Sequence, residues 1–259
     1  MLRALDCTNR NSLLARLMVA LILTGLAASV AVGPAVALTE DELKARIEAA
    51  TKGFSDINMT MTVTLKDKKA LESMEPSYAR LYECKTGNVF VKQPDKVRTE
   101  GKLGMVKFEY IINGTTKVFR AKIARISQKE DCSKKPAKLQ SAFDFGLVTP
   151  TLWRNRSVTI IPDARADANG EIKVRLQWPT GNTGHVIWLD AKDLYLKKVE
   201  KHDGKDKVES TIVYTNPTKM DSMIVPTRAE LFSPEGKSVG FSEVSNIKVN
   251  TNLADTLFN

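Results

Sequence analysis

Two short stretches of this sequence decide its fold. Residues 87–100 read Gly-Asn-Val-Phe-Val-Lys-Gln-Pro-Asp-Lys-Val-Arg-Thr-Glu, and residues 110–119 read Tyr-Ile-Ile-Asn-Gly-Thr-Thr-Lys-Val-Phe. The first predicts two strands separated by a break at Pro94, and the second predicts a hairpin closed by Asn113-Gly114. Asn-Gly favours a type I′ turn, because both central residues of that turn need positive φ.

The same alternating pattern extends over most of the chain. Residues 58–66 place apolar Met59, Met61, Val63 and Leu65 between polar neighbours, which is the period of a half-buried strand. Residues 78–83 continue the pattern. Turn pairs such as Asn169-Gly170 then recur at intervals near ten residues, which is typical of an antiparallel barrel or sandwich. The sequence therefore predicts a mainly β domain without repeats or linkers.

Two regions depart from the strand pattern. Thr39 and Glu42 form a capping box that opens a helix carrying Leu43, Ile47 and Ala50 on one face, and we expect it to stop at Gly53. Residues 134–155 have apolar side chains near helical spacing, and Thr149-Pro150 fits an N-cap and first helical residue. The second region predicts a short helical insertion between two blocks of strands.

The first 37 residues have the pattern of a signal peptide. Basic residues at 3, 10 and 16 precede an apolar run over residues 17–32, and Ala35-Val36-Ala37 supplies a small-x-small cleavage site. We expect cleavage after Ala37, with an uncleaved anchor as the alternative. The domain would then span residues 38–259 and lie outside the cytoplasm, in the periplasm of a bacterium.

The two cysteines that follow the cleavage site, Cys84 and Cys132, favour one disulfide in an exported protein. Two buried free thiols are the alternative. A metal or redox role would need the Cys-x-x-Cys spacing, which these residues lack.

Charge and composition exclude several functions. The chain carries a net charge of +9, but its Lys and Arg residues are spread along predicted strands, so we expect no nucleic-acid partner. Neither His185 nor His202 has a neighbouring Ser or Cys pattern that indicates a nucleophile, and no phosphate-binding glycine loop occurs. We therefore expect no enzyme, no cofactor and no metal.

Several stretches, in this order, resemble the LolA-type periplasmic lipoprotein carriers (the LolA/LolB/RseB type of fold). They are the strand before Pro94 with the Asn113-Gly114 hairpin, the helix at 43–48, and the run 185–204 that ends in Asp203-Gly204, followed by the ending at 246–258. The resemblance implies an incomplete antiparallel β-barrel of about 10–11 strands. An N-terminal helix and a central helical lid would close it over an apolar cavity.

The resemblance also implies a binding site made of shape and apolar surface. The expected cavity residues are Met59, Met61, Val63, Val97, Ile111, Phe119 and Trp188, and the expected lid residues are Leu43, Ile47, Leu139 and Phe143. In the family an arginine directly before the proline latches the lid. Gln93 holds that position here, and because glutamine lacks the guanidinium fork, we expect a weakened or displaced latch.

From these features we expect a monomeric carrier that binds the acyl chains of lipoproteins, or other lipids, and transfers them towards the outer envelope. An inner-membrane donor complex and an outer-membrane acceptor would be its partners. Two alternatives stay open: a lipid-sensing envelope-stress regulator of the RseB type, and a structural envelope protein with a filled core.

Overall fold

One antiparallel sheet of 13 strands organises the chain. The computed structural model describes residues 38–74, 79, 82–121, 123, 125–179 and 184–259. The first half of the sheet consists of β1 (Asp56–Lys66), β2 (Thr86–Lys92), β3 (Lys96–Leu103), β4 (Val106–Asn113), β5 (Thr116–Ala121) and β6 (Ile126–Asp131). The second half consists of β7 (Ser157–Ile160), β8 (Glu171–Gln177), β9 (Gly184–Asp190), β10 (Leu196–His202), β11 (Val208–Met220), β12 (Met223–Phe232) and β13 (Ser238–Val249).

The sheet does not close on itself. Its strand order is β6-β5-β4-β3-β2-β1-β13-β12-β11-β10-β9-β8-β7, so β1 and β13 join the two halves, while β6 and β7 are the edges. Within the described residues these two edge strands are not paired with each other. This arrangement confirms the predicted mainly β, incomplete antiparallel architecture, with more strands than the expected 10–11.

The hairpin between β4 and β5 lies where the sequence predicted it, but its turn is shifted by one residue. Asn113 pairs with Thr116, so the two central residues are Gly114 and Thr115. Gly114 has φ +63°, whereas neither Asn113 nor Thr115 has a positive φ. Positive φ at the first central residue alone fits a type II′ turn rather than type I′.

Helix α1 (Glu40–Ala50) begins with the predicted capping box. The Thr39 hydroxyl accepts a hydrogen bond from the Glu42 backbone N–H at 3.2 Å, and the Glu42 carboxylate accepts one from the Thr39 N–H at 2.8 Å. Leu43 and Ile47 are fully buried, whereas Ala50 is exposed. Two shorter helices follow, α2 (Lys68–Met74) and α3 (Ala164–Ala168).

The central insertion, which we call the lid segment (residues 134–155), is not an α-helix. It forms three 3₁₀ turns, Pro136–Lys138, Ala142–Phe145 and Pro150–Trp153. The second turn ends at Gly146, which has φ +78° and lies so close to Tyr214 that a Cβ there would come within 2.9 Å of the ring. Pro136 and Pro150 stand at the first position of their turns, and the left-handed Gly146 ends the second turn.

The lid segment divides its apolar side chains between two clusters. Ala142 and Leu147 pack with Met59, Val97 and other side chains of the first half of the sheet. The second cluster contains three side chains of the lid segment, Phe143, Val148 and Leu152, together with Leu43 and Ile47 of α1. They pack against the second half of the sheet, on side chains that include Val174, Leu176, Ile187, Leu189 and Leu196. The lid segment and α1 therefore fill the concave side of the sheet.

The other, convex side of the first half is covered by the C-terminal segment (residues 250–259). Its 3₁₀ turn, Asp255–Phe258, places the fully buried Phe258 against Ile111 and Val118. On the second half, Ala166 of α3 packs against Trp188 on the same convex side. Both faces of the sheet therefore carry apolar patches.

The predicted disulfide is wrong for this structure, in which both thiols are free. Cys84 lies beside Gly101, and the Cys132 backbone N–H donates to Thr115 O at 2.8 Å. Lys96 begins β3, and Gly101 lies five residues further along the same strand. Lys96 pairs with Asn113, which is next to the turn that Cys132 contacts, so Cys84 and Cys132 lie at these two different positions along β3. Five residues of strand span about 16 Å, whereas a disulfide needs Cα atoms within about 7 Å.

The predicted signal peptide and its cleavage after Ala37 lie outside the described residues. Residues 38–259 form one compact unit. Among the residues that the structure describes, none belongs to a helix that is both long enough and apolar enough to cross a membrane.

Candidate functional site

Five of the seven predicted cavity residues share the concave face. Strand pairing aligns Met59 with Val89, Met61 with Gly87 and Val63 with Ser242. Val97 pairs with Val91 and Ile112, and Phe119 pairs with Tyr110. Met59 and Val97 are buried, while Met61, Val63 and Phe119 are partly buried.

The other two, Ile111 and Trp188, lie on the convex face. Ile111 precedes the concave Ile112 by one residue, so its side chain points the opposite way and packs under Phe258. Trp188 likewise alternates with Ile187 and packs under α3. The structure therefore corrects the predicted orientation of Ile111 and Trp188. Neighbouring side chains of a strand point to opposite faces, so a difference of one residue places a side chain on the other face of the sheet.

All four predicted lid residues lie on the concave side. Leu43 and Ile47 of α1 and Phe143 of the lid segment are buried in the second-half cluster, and Leu139 packs partly buried against the first-half cluster. The structure thus brings Leu139 over the strands that carry Met59 and Val97, and the other three side chains over the second half of the sheet. Their role in releasing a ligand stays a prediction.

The Gln93 side chain forms no hydrogen bond to the lid segment among the described residues. Its backbone N–H donates to Ser55 O at 2.8 Å, but its buried side-chain Nε2 has no hydrogen-bond partner among the described residues. The lid segment instead reaches the same turn through Arg154, whose Nη1 lies 2.7 Å from the Asp95 carboxylate. Because Arg154 is 45% exposed, this ion pair adds only about 0–1 kcal/mol to stability.

Arg156, which directly follows the lid segment, is the residue that sequence analysis missed. Its guanidinium lies 5.2 Å from the centre of the Phe143 ring and 4.4 Å from that of Trp178. Its Nε and Nη1 atoms are buried without a hydrogen-bond partner among the described residues. Burial lowers the pKa of this group, and the nearby Asp144 carboxylate opposes that shift.

His185 contacts the same lid residue from the sheet. Its ring lies edge-on to Phe143 with 5.6 Å between centroids. Burial, and then the positive charges of Arg156 and Lys201, lower the pKa of His185 to about 3. The imidazole is therefore neutral at physiological pH, and Phe143 lies between a neutral ring and a cation.

Two of the cavities in the described residues lie at opposite ends of strands β2–β4, and one of them is lined by Arg156. A cavity of about 60 Å³ lies beneath the lid segment, between Val91, Val97 and Ile112 on the sheet and Leu139 and Arg156 above it. A cleft of about 1090 Å³ opens at the opposite end of β2–β4. Gly101 and Phe108 line this cleft together with charged side chains that include Glu100, Lys107 and Arg120.

Apolar side chains make up most of the site. Among the described residues no group of three His, Cys, Asp or Glu side chains is arranged to hold a metal ion. What the site offers is an apolar sheet face, an apolar cover and a buried cation beside them.

Solved structures with this architecture include LolA-like proteins. A domain from Vibrio parahaemolyticus described as an outer membrane lipoprotein-sorting protein domain has a TM-score of 0.61 at 13% identity, covering 84% of this chain and 95% of that one. A LolA superfamily protein from Nitrosomonas europaea has a TM-score of 0.57 at 10% identity, covering 86% and 98%. A DUF1329 family protein from Desulfovibrio piger has a TM-score of 0.51 at 13% identity, covering 84% and 95%.

These similarities show that the chain has the LolA-like fold, and they confirm the predicted resemblance at that level. No family model matches the sequence, and neither does any curated protein. Because the identities are so low, the likeness carries the fold and not the activity.

Proposed function

We propose that this protein binds acyl chains non-covalently on the concave face of its sheet and carries them through the bacterial cell envelope. The observation that carries the proposal is the cover of that face. The lid segment buries Met59 and Val97 through apolar contacts, while its own Gln140 Oε1 and the adjacent Arg156 Nε and Nη1 lack hydrogen-bond partners among the described residues.

Each buried polar group left unmatched costs about 1–3 kcal/mol, so the closed state holds less stability than its apolar contacts alone would give. A cover of this kind can move away at modest cost and expose a continuous apolar strip. An acyl chain would replace the contacts that the lid segment gives up.

A carrier is needed because acyl chains do not cross water readily. Each methylene transferred into water costs about 0.8 kcal/mol, so a 16-carbon chain costs about 12 kcal/mol. The cargo would be an acylated lipoprotein or another lipid, received from an inner-membrane complex and passed to an outer-membrane acceptor. The Vibrio parahaemolyticus domain of the same fold is described as lipoprotein-sorting, which supports this choice. In this proposal the protein is no enzyme, and it reaches the periplasm by its signal peptide.

One observation favours a second candidate, a structural envelope protein with a filled core. The cavity beneath the lid segment has room for only about two water molecules, so an acyl chain does not fit between the lid segment and the sheet in the closed conformation. The two candidates differ in whether the lid segment ever leaves its position.

Lipid analysis of the native protein tests the choice. The chain is expressed with its own signal in a bacterial envelope and purified without detergent, and bound molecules are identified by mass spectrometry. The purified, delipidated protein is then titrated with a fluorescent 16-carbon fatty acid. We expect a bound acylated peptide or lipid and saturable uptake of the probe.

A matched pair of variants locates the binding face. Met61→Gln places an amide on the concave face and should weaken probe binding about tenfold, while Thr60→Gln, one residue away on the convex face, should not. No co-purified lipid together with no uptake would leave the structural alternative standing.

A further inference from the structure

The buried guanidinium of Arg156 makes one end of the concave site polar. The cavity of about 60 Å³ lies among the β2–β3 turn at Pro94, the β4–β5 turn at Gly114 and the end of the lid segment at Arg154. Arg156 lines this cavity, and its opposite wall is the apolar Val91, Val97 and Ile112. One cavity therefore joins a guanidinium to the start of the apolar strip.

The charges around this cavity are mainly positive. Lys92, Lys96, Arg154 and Arg156 line it, and Asp95 is the acidic residue among its lining side chains. Asp95 is engaged by Arg154, and Lys92 and Lys96 both bind Asp255 on the convex side. Arg156 differs from these three, because its buried Nε and Nη1 have no acceptor among the described residues.

The ring contacts hold Arg156 in place without using its donors. Phe143 and Trp178 lie against the guanidinium, and aromatic faces stabilise a cation through its plane rather than its N–H groups. The nearby Asp144 carboxylate accepts hydrogen bonds from Ser141 N and Oγ at 2.7 and 3.1 Å. Two N–H donors of Arg156, Nε and Nη1, are thus held in place without an acceptor among the described residues. Guanidinium donors of this kind bind carboxylate or phosphate oxygens.

We propose that Arg156 binds the anionic end of an amphiphile, a carboxylate or a phosphate ester, whose acyl chain follows the concave face from Val97 towards Met59. This inference rests on the proposed acyl-carrier function and specifies its ligand as an anionic lipid. The small cavity accommodates the oxygens of one such group, and the chain takes the place of the lid segment.

Twelve-carbon ligands that differ only in their polar end test the proposal. Laurate, dodecyl phosphate and the neutral 1-dodecanol are titrated against the full-length, delipidated protein by calorimetry, below their critical micelle concentrations. We expect one or both anions to bind at least about tenfold more tightly than the alcohol. The tighter of the two anions identifies the ligand as a carboxylate or a phosphate.

Variants then assign the preference to one residue. Arg156→Gln should make the affinities for the anions and for dodecanol about equal, without changing the affinity for dodecanol. Arg156→Lys should retain part of the preference for the anions. Arg175→Gln removes an exposed cation that does not line this cavity and should leave the preference intact. Urea unfolding midpoints check that each variant is folded, and the wild-type preference is informative even if Arg156→Gln does not fold.

The outcomes separate the two proposals. Equal affinity of the wild type for all three ligands would overturn the role of Arg156 and leave the acyl carrier standing. An anion preference that Arg156→Gln keeps would also overturn it. Failure of every twelve-carbon ligand to bind, together with no co-purified lipid and no uptake of the 16-carbon probe, would overturn both. Failure of the twelve-carbon ligands alone would overturn the role of Arg156.

Discussion

Two irregular segments cover opposite faces of the same strands, and they are held in different ways. The C-terminal segment on the convex face is anchored by polar contacts: Lys92 Nζ donates to Leu253 O at 2.7 Å, Arg98 Nη1 to Leu257 O at 3.0 Å and Asn113 Nδ2 to Phe258 O at 3.2 Å. The lid segment on the concave face packs mainly through apolar side chains, and its hydrogen bonds to the sheet involve Lys138 and Arg154 near its two ends.

The difference indicates which of the two covering segments stays in place as long as the protein is folded. Side-chain donors that reach backbone carbonyls fix a segment in one register, whereas apolar contact is non-directional and can be exchanged for another apolar surface. Buried polar atoms without partners are found with the lid segment and not with the Asp255–Phe258 turn, within the described residues. We therefore expect the convex cover to unfold with the whole protein and the concave cover to open on its own.

The strongest test of this contrast is a pair of Phe→Ala substitutions. Phe258→Ala should lower the free energy of global unfolding by about 3–5 kcal/mol, because its fully buried ring leaves a cavity under an anchored segment. Phe143→Ala should lower the free energy of global unfolding by only about 1–2 kcal/mol. A substitution in a segment that opens on its own cannot remove more stability than the free energy of opening that segment. Urea unfolding at equilibrium measures both, and equal losses would contradict the contrast.

Native-state hydrogen exchange tests the same contrast without mutation. Backbone amides of the lid segment that are hydrogen-bonded, such as Leu147 and Leu152, should exchange about 10–100-fold faster than Leu257 in the C-terminal turn. The rates of the lid amides should also be less sensitive to urea, because local opening exposes little surface. A single rate and a single urea dependence for both segments would mean that they open together.

Acid should loosen the concave cover before the convex one. The pKa of His185 is about 3 in the folded protein against about 6.5 unfolded, so the unfolded chain binds more protons between these values and stability falls as the pH drops below 6.5. Between pH 7 and pH 5 we expect a loss of about 1–2 kcal/mol.

His185→Asn should remove that part of the pH dependence, as measured by urea midpoints at each pH. Over the same range the convex cover keeps its charges, because its hydrogen bonds from Lys92 and Lys96 lower the pKa of Asp255 to about 2. A pH profile that His185→Asn leaves unchanged would exclude this residue as the cause.

The smallest expected effect belongs to Asp255 itself. Asp255→Asn should lower the melting temperature slightly, because the carboxylate that bridges Lys92 and Lys96 is exposed. The difference from wild type should shrink in 1 M NaCl, where charges are screened within about 3 Å. It should also vanish as the pH falls through about 2, where the wild-type carboxyl is protonated.

Local patterns predicted those elements whose signals are local. The capping box at Thr39 and the hairpin after Asn113 were found because a few neighbouring residues specify them. Alternation alone failed at residues 78–83, which it assigned to a strand, since Ala79 and Tyr82 are helical and Ala79 is buried against the cluster of Leu71 and Leu231. That packing is tertiary, and it overrides a short period-two pattern.

The faces of Ile111 and Trp188 could not be read from their strands. Apolar residues stand on both sides of β4 and β9, because separate segments cover the convex face, and only the pairing register shows which side is which. Arg156 gave no signal, since its environment is assembled from Phe143 and Trp178, which lie in two other elements and fit no local spacing motif with it.

The unpaired edges of the sheet have a mechanical consequence. The 13 strands form a chain of twelve ladders with β6 and β7 at its free ends, so the gap between the edges can widen without breaking any ladder hydrogen bond. A change of about 2° in twist at each ladder, well inside the normal spread of about 25°, would add up to about 24° across the sheet. The sheet is thus stiff along each strand and compliant around its circumference. In the proposed carrier, this compliance would let the width of the concave face adapt to ligands of different thickness.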